Sequence, residues 1–383
     1  MRSEVVLLRC ESYEYETVRR AVSRGIALLG GIDKFVSPKE KILLKPNLLI
    51  AEPPEKCVTT HPAVFKAVAQ IFIEGEGNVV WGDSPAVGKP DKVAAKAGLM
   101  EVARELNVAL ADFQNGEDIF YDEAVQNKRF HIAKGALDCD GIVSIPKLKT
   151  HGLQRFTGSI KNQFGCIPGT LKAEWHLRIP DATDFAKMLV DLNAYLRPRL
   201  YIMDGVIGME GNGPRGGTPK PMNFIAISAD PVALDATICR IMDINPEYVP
   251  TTVFGRESGL GTHLEADIDI LGDRIDDFKE TKFNIERRPV KVFRGSILSK
   301  TLNALFLKLP TIEAEKCTRC GLCNSVCPVD PSAVRWVDDN RDDPPSYDYK
   351  ACIKCYCCQE LCPEGAIYLK RPVVRRVLDK LLG

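Results

Sequence analysis

Eight cysteines fall into two strings of one spacing: Cys317, Cys320, Cys323 and Cys327 followed by Pro328, then Cys352, Cys355, Cys358 and Cys362 followed by Pro363. Each reads C-x2-C-x2-C-x3-C-P, a spacing at which thiolates hold [4Fe-4S] clusters. Three thiolates line one tight loop and bind three irons of a cube, while the fourth, before the proline, leaves for the other cluster. The expected ligand sets are therefore crossed: Cys317, Cys320, Cys323 and Cys362 for one cluster, and Cys352, Cys355, Cys358 and Cys327 for its twin. Two [4Fe-4S] clusters that move single electrons are the expected cofactors. Proline after the crossing cysteine fixes the chain direction, and Gly321 lets the backbone approach inorganic sulfide. A zinc site also uses short cysteine pairs, but it takes two separated pairs rather than two runs of four. Nine of the 14 cysteines crowd into 317–362 and five are scattered singly, which speaks for metal and against a disulfide framework. Cys357 adjoins Cys358, but only Cys358 keeps the register, so Cys357 reads as a spare thiol. Leu322, Val326, Ile353, Leu361 and Ile367 are expected to keep water from the clusters.

A second set of polar residues lies upstream, each group just beyond an apolar run: Lys45-Pro46-Asn47 after KILL, Gly82-Asp83-Ser84-Pro85 after NVVW, Lys147-Leu148-Lys149-Thr150-His151 after DGIVSIP, and Asp204-Gly205 after LYIM. If the runs are strands of an open α/β sheet, these groups meet at its carboxyl edge, where ligands bind and helix N-termini converge. Lys45, Lys147, Lys149 and Lys161 point to an anionic small molecule. Asp83, Asp204 and Glu210 can hold an additional divalent metal or trade protons. The catalytic expectation falls on Lys149, His151 and Lys161, with His151 as general acid or base because its ordinary pKa lies near working pH. Substrate contacts are expected from Lys45, Asn47, Asp83, Ser84, Lys147, Asn162, Glu210, Asn212 and Arg215. Taken singly, each is as well explained by a solvated loop or a helix cap. The loop from Met209 to Gly217 has four glycines and an arginine, so its amides can form an anion nest, although it lacks the ending of a P-loop. Cys166, beside Phe164 and Ile167, reads as a core thiol.

The elements that must position these residues follow from periodicity. Short apolar runs at Val5 to Leu8, before Lys45, before Asp83, before Pro146, before Gly205 and near Ile225 alternate with helical patterns such as His61 to Ile73 and Asp181 to Leu196. Asp230 is expected to cap a helix from Val232 to Met242. Strands separated by helices imply an α/β fold built on an open, doubly wound, mostly parallel sheet. A small C-terminal α+β domain of ferredoxin type follows. The expected organisation is an α/β domain over 1–275, a connector over 276–310 with a basic amphipathic helix at Ser296 to Leu307, the ferredoxin-type domain over 311–371, and a C-terminal helix over 372–383. At 383 residues, with 45% hydrophobic and 27% charged residues, the chain can bury a sizeable core. Lys plus Arg and Asp plus Glu are each 51, so no net field attracts nucleic acid. No stretch reaches the roughly 18 apolar residues of a membrane span, and a cytoplasmic location is expected.

Six ordered motifs carry a resemblance. KPNL at Lys45 to Leu48, GDSP at Gly82 to Pro85, PKLKTH at Pro146 to His151, TGSIKNQFG at Thr157 to Gly165, EGNGPRGG at Glu210 to Gly217 and ADPVALDA at Ala229 to Ala236 together resemble the family called domain of unknown function 362. The resemblance covers residues 1 to about 275, and members of that family often carry a ferredoxin-type module. It implies an iron-sulfur protein of anaerobic metabolism and names no substrate.

The leading functional expectation is an iron-sulfur oxidoreductase or reductive activator, in which the clusters deliver single electrons to a substrate at the strand ends. A redox partner protein is expected in either direction of transfer. Two alternatives stand beside it: a non-catalytic electron-transfer subunit docking a partner enzyme, and a cluster- or cofactor-assembly factor, against which the missing P-loop counts.

Overall fold

Strand β1 (Ser3–Arg9) sends Val6 and Leu8 into one core and Val5 and Leu7 into another. Strand β2 (Lys41–Lys45) divides Ile42 and Leu44 from Leu43 in the same way. Alternate side chains are thus buried on opposite faces, which is why these strands read as unbroken apolar runs. The structure is a computed structural model that describes residues 2–169, 171–290, 307–336, 341–370 and 372. The helices expected over Ser296 to Leu307 and at the C-terminus fall outside the described residues, apart from Leu307 and Pro372.

The remaining strands are β3 (Asn78–Trp81), β4 (Ala109–Leu110), β5 (Gly116–Phe120), β6 (Arg129–Ala133), β7 (Gly141–Ser144), β8 (Lys147–His151), β9 (Arg155–Thr157), β10 (Leu200–Glu210), β11 (Thr218–Ser228) and β12 (Ile268–Gly272). Ten of these twelve form one sheet in the order β12-β1-β11-β10-β7-β2-β3-β4, with β8 beside β10 and β9 beside β8. Strands β5 and β6 form a separate antiparallel hairpin. Within the large sheet the neighbours are parallel except that β11 runs against both β1 and β10, and β9 against β8. Helices α1 (Tyr15–Leu28) and α2 (Pro62–Glu74) pack on one face, and α8 (Ala182–Leu196) and α9 (Pro231–Ile241) on the other. The sheet is therefore open, mostly parallel and covered on both sides.

Helix starts follow local chemistry. Asp181 accepts from the amides of Thr183 and Asp184, and Asp230 from those of Val232 and Ala233, while proline opens α2 and α9. The short helices between these are α3 (Pro90–Lys96), α4 (Leu99–Glu105), α5 (Lys134–Leu137), α6 (Ser159–Asn162) and α7 (Leu171–Arg178), with α10 (Pro250–Glu257) before β12. Among the described residues no helix is long and apolar enough to cross a membrane.

The C-terminal module pairs β13 (Leu309–Ile312) with β16 (Ile367–Lys370), and β14 (Val334–Arg335) with β15 (Ser346–Tyr347), both antiparallel. Short helices at Leu322–Ser325 and Cys357–Leu361 follow the two cysteine loops.

Candidate functional site

Lysines at the carboxyl ends of β2 and along β8 are drawn beneath the surface, and each meets a different fate. Lys45 is fully buried and donates to Asp83, beyond β3, at 2.7 Å. The other oxygen of Asp83 accepts the Leu48 amide at 2.7 Å, so one carboxylate pins the KPNL turn. Any side chain at Gly165 would collide with Asp83 and the Lys45 ammonium, which explains the glycine there. Lys147 donates to Asp204 at 2.9 Å and to the Tyr13 hydroxyl at 2.6 Å, and Tyr13 stacks on His61. The Asp204 carboxylate also accepts the His61 amide. Asp83 and Asp204, expected as ligands of a divalent metal or as proton carriers, are thus each matched by a buried lysine. Glu210 is elsewhere, accepting the Asn284 amide at 2.8 Å.

Three further lysines have no carboxylate within 4 Å among the described residues. Lys149 donates to Asn47 Oδ1 at 2.7 Å and to the Val58 carbonyl. Burial, reinforced by the like charges of Lys161 and Lys147, pushes its pKa well down. Lys172, on α7, donates to Ser84 Oγ at 2.8 Å, and burial pulls it down to about 7. Lys161 lies 5.8 Å from the centre of the Phe164 ring, and burial lowers it while Glu360 opposes the shift. Asn162, on α6, donates to Ser144 Oγ and the Lys45 carbonyl and accepts from Asn47, tying the ends of β2 and β7 together.

His151 accepts the amides of Leu153 and Gln154 at Nδ1, so its proton sits on Nε2. That atom lies 2.8 Å from Glu360 of the C-terminal module, off the line of a directed hydrogen bond. Burial lowers the pKa of His151, and protonating Nδ1 would also break two amide bonds. Burial pushes the Glu360 carboxyl up, but the field of the His151 edge and Lys161 outweighs it and holds the group ionised.

The loop after β10 is a hairpin tip whose side chains are engaged by the C-terminal module. Asn212 donates to the carbonyls of Gly365 and Ile367 and accepts from Gln359. Arg215 donates to Glu52 and to the Leu361 carbonyl. The side chains expected at a ligand instead clasp the C-terminal module. Gly213 and Gly216 allow this contact, since a side chain would strike Thr150 at the first and Gly365 at the second. Leu361, Leu322 and Val326, expected around the cysteines, pack with Ile50 and Val58 of the loop after β2 and with Met209 of β10.

Within the module the cysteines group crosswise. Cys317, Cys320, Cys323 and Cys362 line one cavity with Ile312, Ala366 and Ile367. Cys327, Cys352, Cys355 and Cys358 line a second with Ile353, Tyr347 and Tyr356. All the cysteines are free, and Tyr347 donates to Cys358 at 3.2 Å. Cys357 is buried outside both sets, near Lys161 and Glu360. Cys166 is core, its thiol pushed up to about 12 by burial.

Three residues of this neighbourhood escaped the sequence reading. Glu360 was hidden in a cysteine string. Lys172 and His176 carry the one signal that was available, an i, i+4 spacing that puts both on the inner face of α7. Asp235, buried on α9, accepts the amides of Ser159 and Ile160 and so fixes the TGSIKN turn; burial raises it to about 7.

Residues 42–240 match the family model described as domain of unknown function (DUF362). The chain belongs to the DUF362 family. Residues 309–370 of this DUF362 protein match a second model, a 4Fe-4S dicluster domain, so the C-terminal module is of iron-sulfur, electron-transfer type. A curated relative, the thylakoid-associated protein sll1697 of Synechocystis sp., is 37% identical over 261 residues, covering 68% of this chain and 81% of its own. Two solved structures are more distant. The lactate racemase apoprotein from Thermoanaerobacterium thermosaccharolyticum is 14% identical, with a TM-score of 0.39 over 60% of this chain and 55% of its own. A protein from Thermotoga maritima is 12% identical, with a TM-score of 0.35 over 58% and 57%. This chain spans little more than half the length of either.

Proposed function

We propose that this DUF362 protein is an iron-sulfur oxidoreductase or reductive activator that passes single electrons to an anionic substrate at the strand ends. The observation that carries it is the docking of the second cysteine string. The Cys357–Leu361 helix, which starts beside one cluster-type cavity and is followed by a cysteine of the other, places Glu360 against His151.

The residues fit two [4Fe-4S] clusters. Each cavity has four thiols and a mainly apolar wall, and among the described residues no three His, Cys, Asp or Glu side chains converge as a single ion would need. Cys317, Cys320, Cys323 and Cys362 would hold one, and Cys352, Cys355, Cys358 and Cys327 the other. Such a cluster, when bound, gives or takes one electron at a time.

The chain's own residues supply the rest. Lys45–Asp83 and Lys147–Asp204 hold the strand-end loops rigid. Lys149, held by neutral oxygens, and Lys161 offer N–H donors to an anion, whose charge would in turn favour their protonated forms. His151 presents its proton at Nε2 beside the module. Asn47, Ser84 and Asn162 orient the lysines.

The test is anaerobic. Iron and sulfide are quantified, the dithionite-reduced protein is recorded by EPR, and metabolite fractions are added. About eight irons per chain and reoxidation by a metabolite support the proposal. Stoichiometric zinc sinks the ligand assignment, and clusters that stay reduced until a partner protein arrives make the chain a carrier. His151→Gln is expected to abolish reoxidation at unchanged iron content.

A further inference from the structure

Where the end of β8, the β10–β11 hairpin tip and the C-terminal module meet, they enclose a cleft of about 390 Å³, a size usual for small-molecule sites. Of the residues lining it only Ile285 and Leu369 are aliphatic, and the others are polar or glycine. His151 and Gln359 are its buried members, while Asn284 and Tyr368 are exposed at its mouth.

Two features of the lining say what the cleft can hold. Gln359 donates through Nε2 to Asn212 Oδ1 at 2.8 Å and to the Gly213 carbonyl at 3.0 Å, and these acceptors fix which end of the amide is oxygen. That oxygen, Oε1, is buried with no hydrogen-bond partner. It lies 3.2 Å from the point where a side chain would start on Gly152, which also lines the cleft. A buried acceptor left unpaired beside such a space calls for a donor from a ligand. The second feature is charge. Arg155 lines the cleft and its guanidinium is permanently protonated, whereas Glu286, the one acid of the lining, is matched by Lys308 at 3.0 Å. Position gives the cleft its interest. The Tyr356 ring, part of the wall of the second cysteine cavity, comes within 3.6 Å of the same point at Gly152, and its hydroxyl donates to the Lys308 carbonyl at 3.0 Å. One aromatic ring thus stands between the cleft and the cavity of Cys327, Cys352, Cys355 and Cys358.

We propose that this cleft binds a small carboxylate that also bears a hydroxyl or amino group, its charge toward Arg155 and its donor on Gln359 Oε1. The inference rests on the reading of the strand ends as a substrate site. Within that site it places the carboxylate beside His151 at the end of β8, and it gives the anion a second functional group. Lys149 and Lys161 stand behind, near enough for their fields to act on His151.

The experiment is calorimetric titration of the anaerobic, cluster-loaded full chain with glycerate, alanine, propionate and glycerol. Saturable binding of glycerate or of alanine is expected, the two probes telling a hydroxyl donor from an amino one. Propionate lacks the donor and glycerol lacks the charge, so each should bind about tenfold more weakly, the worth of one hydrogen bond. Arg155→Gln should weaken the carboxylates about tenfold and leave glycerol unchanged. Asn284→Trp, which fills the mouth of the cleft, should abolish binding at unchanged iron content. No saturable binding of glycerate or alanine below about 10 mM overturns the inference. So does propionate binding as tight as theirs, or binding that Asn284→Trp leaves unchanged. The two readings fail separately. A metabolite that reoxidises the clusters of Asn284→Trp as fast as those of the wild type removes the cleft and leaves electron delivery. Glycerate or alanine binding that responds to both variants, with no metabolite reoxidising the clusters, removes electron delivery and leaves the cleft.

Discussion

At the Lys45–Asp83 pair a single proton acceptor holds a buried cation and a loop amide together. Asp83→Asn leaves the ammonium without a counter-charge, and a loss of about 3–5 kcal/mol is expected in an anaerobic urea titration. Lys172 has the opposite character, a cation held by a hydroxyl. Its folded pKa is about 7 against 10.5 when exposed, so between those values the unfolded chain binds one more proton. Stability from this residue is therefore lowest below pH 7 and rises as pH climbs from about 7 to 10.5. Lys172→Met should flatten that rise, which denaturation midpoints at pH 6, 8 and 10 will show.

The β10–β11 hairpin reaches past the sheet and grips the C-terminal module with Asn212 and Arg215. Losing both side chains in Asn212→Ala/Arg215→Ala removes several hydrogen bonds, of which the charged ones are worth about 1.5–3 kcal/mol each. Faster amide exchange at Gln359 and Glu360 is the expected readout; unchanged protection would show that the apolar contacts of Leu361 suffice. Much of the architecture was legible because burial on both faces makes β1, β2 and β7 unbroken apolar runs. The caps Asp181 and Asp230 were legible because their role is local. The direction of β11 was not, since a continuous apolar run reads the same in either direction. The docking of the hairpin tip on the C-terminal module was not legible for a related reason: glycines report a close approach but not what approaches. His151 could be singled out from its position, whereas its partner Glu360 lies 209 residues away and is set only by docking.

Across the whole molecule, each cysteine string completes the cavity of the other, with Cys327 and Cys362 crossing over. A chain cut after 345 is expected to lose nearly all its iron rather than half, by iron and sulfide assay of the anaerobically purified fragment. Retention of about four irons would refute the crossed sets. The helix from Cys357 to Leu361 carries Cys358 of one cavity, is followed by Cys362 of the other, and places Glu360 against His151. With clusters held by Cys358 and Cys362, its shape, and with it the position of Glu360, would depend on iron at both ends. On the proposed function the arrangement would act as an interlock: oxygen that stripped a cluster would also dismantle the place where electrons are used. A damaged molecule would then fall silent instead of releasing electrons to the wrong acceptor.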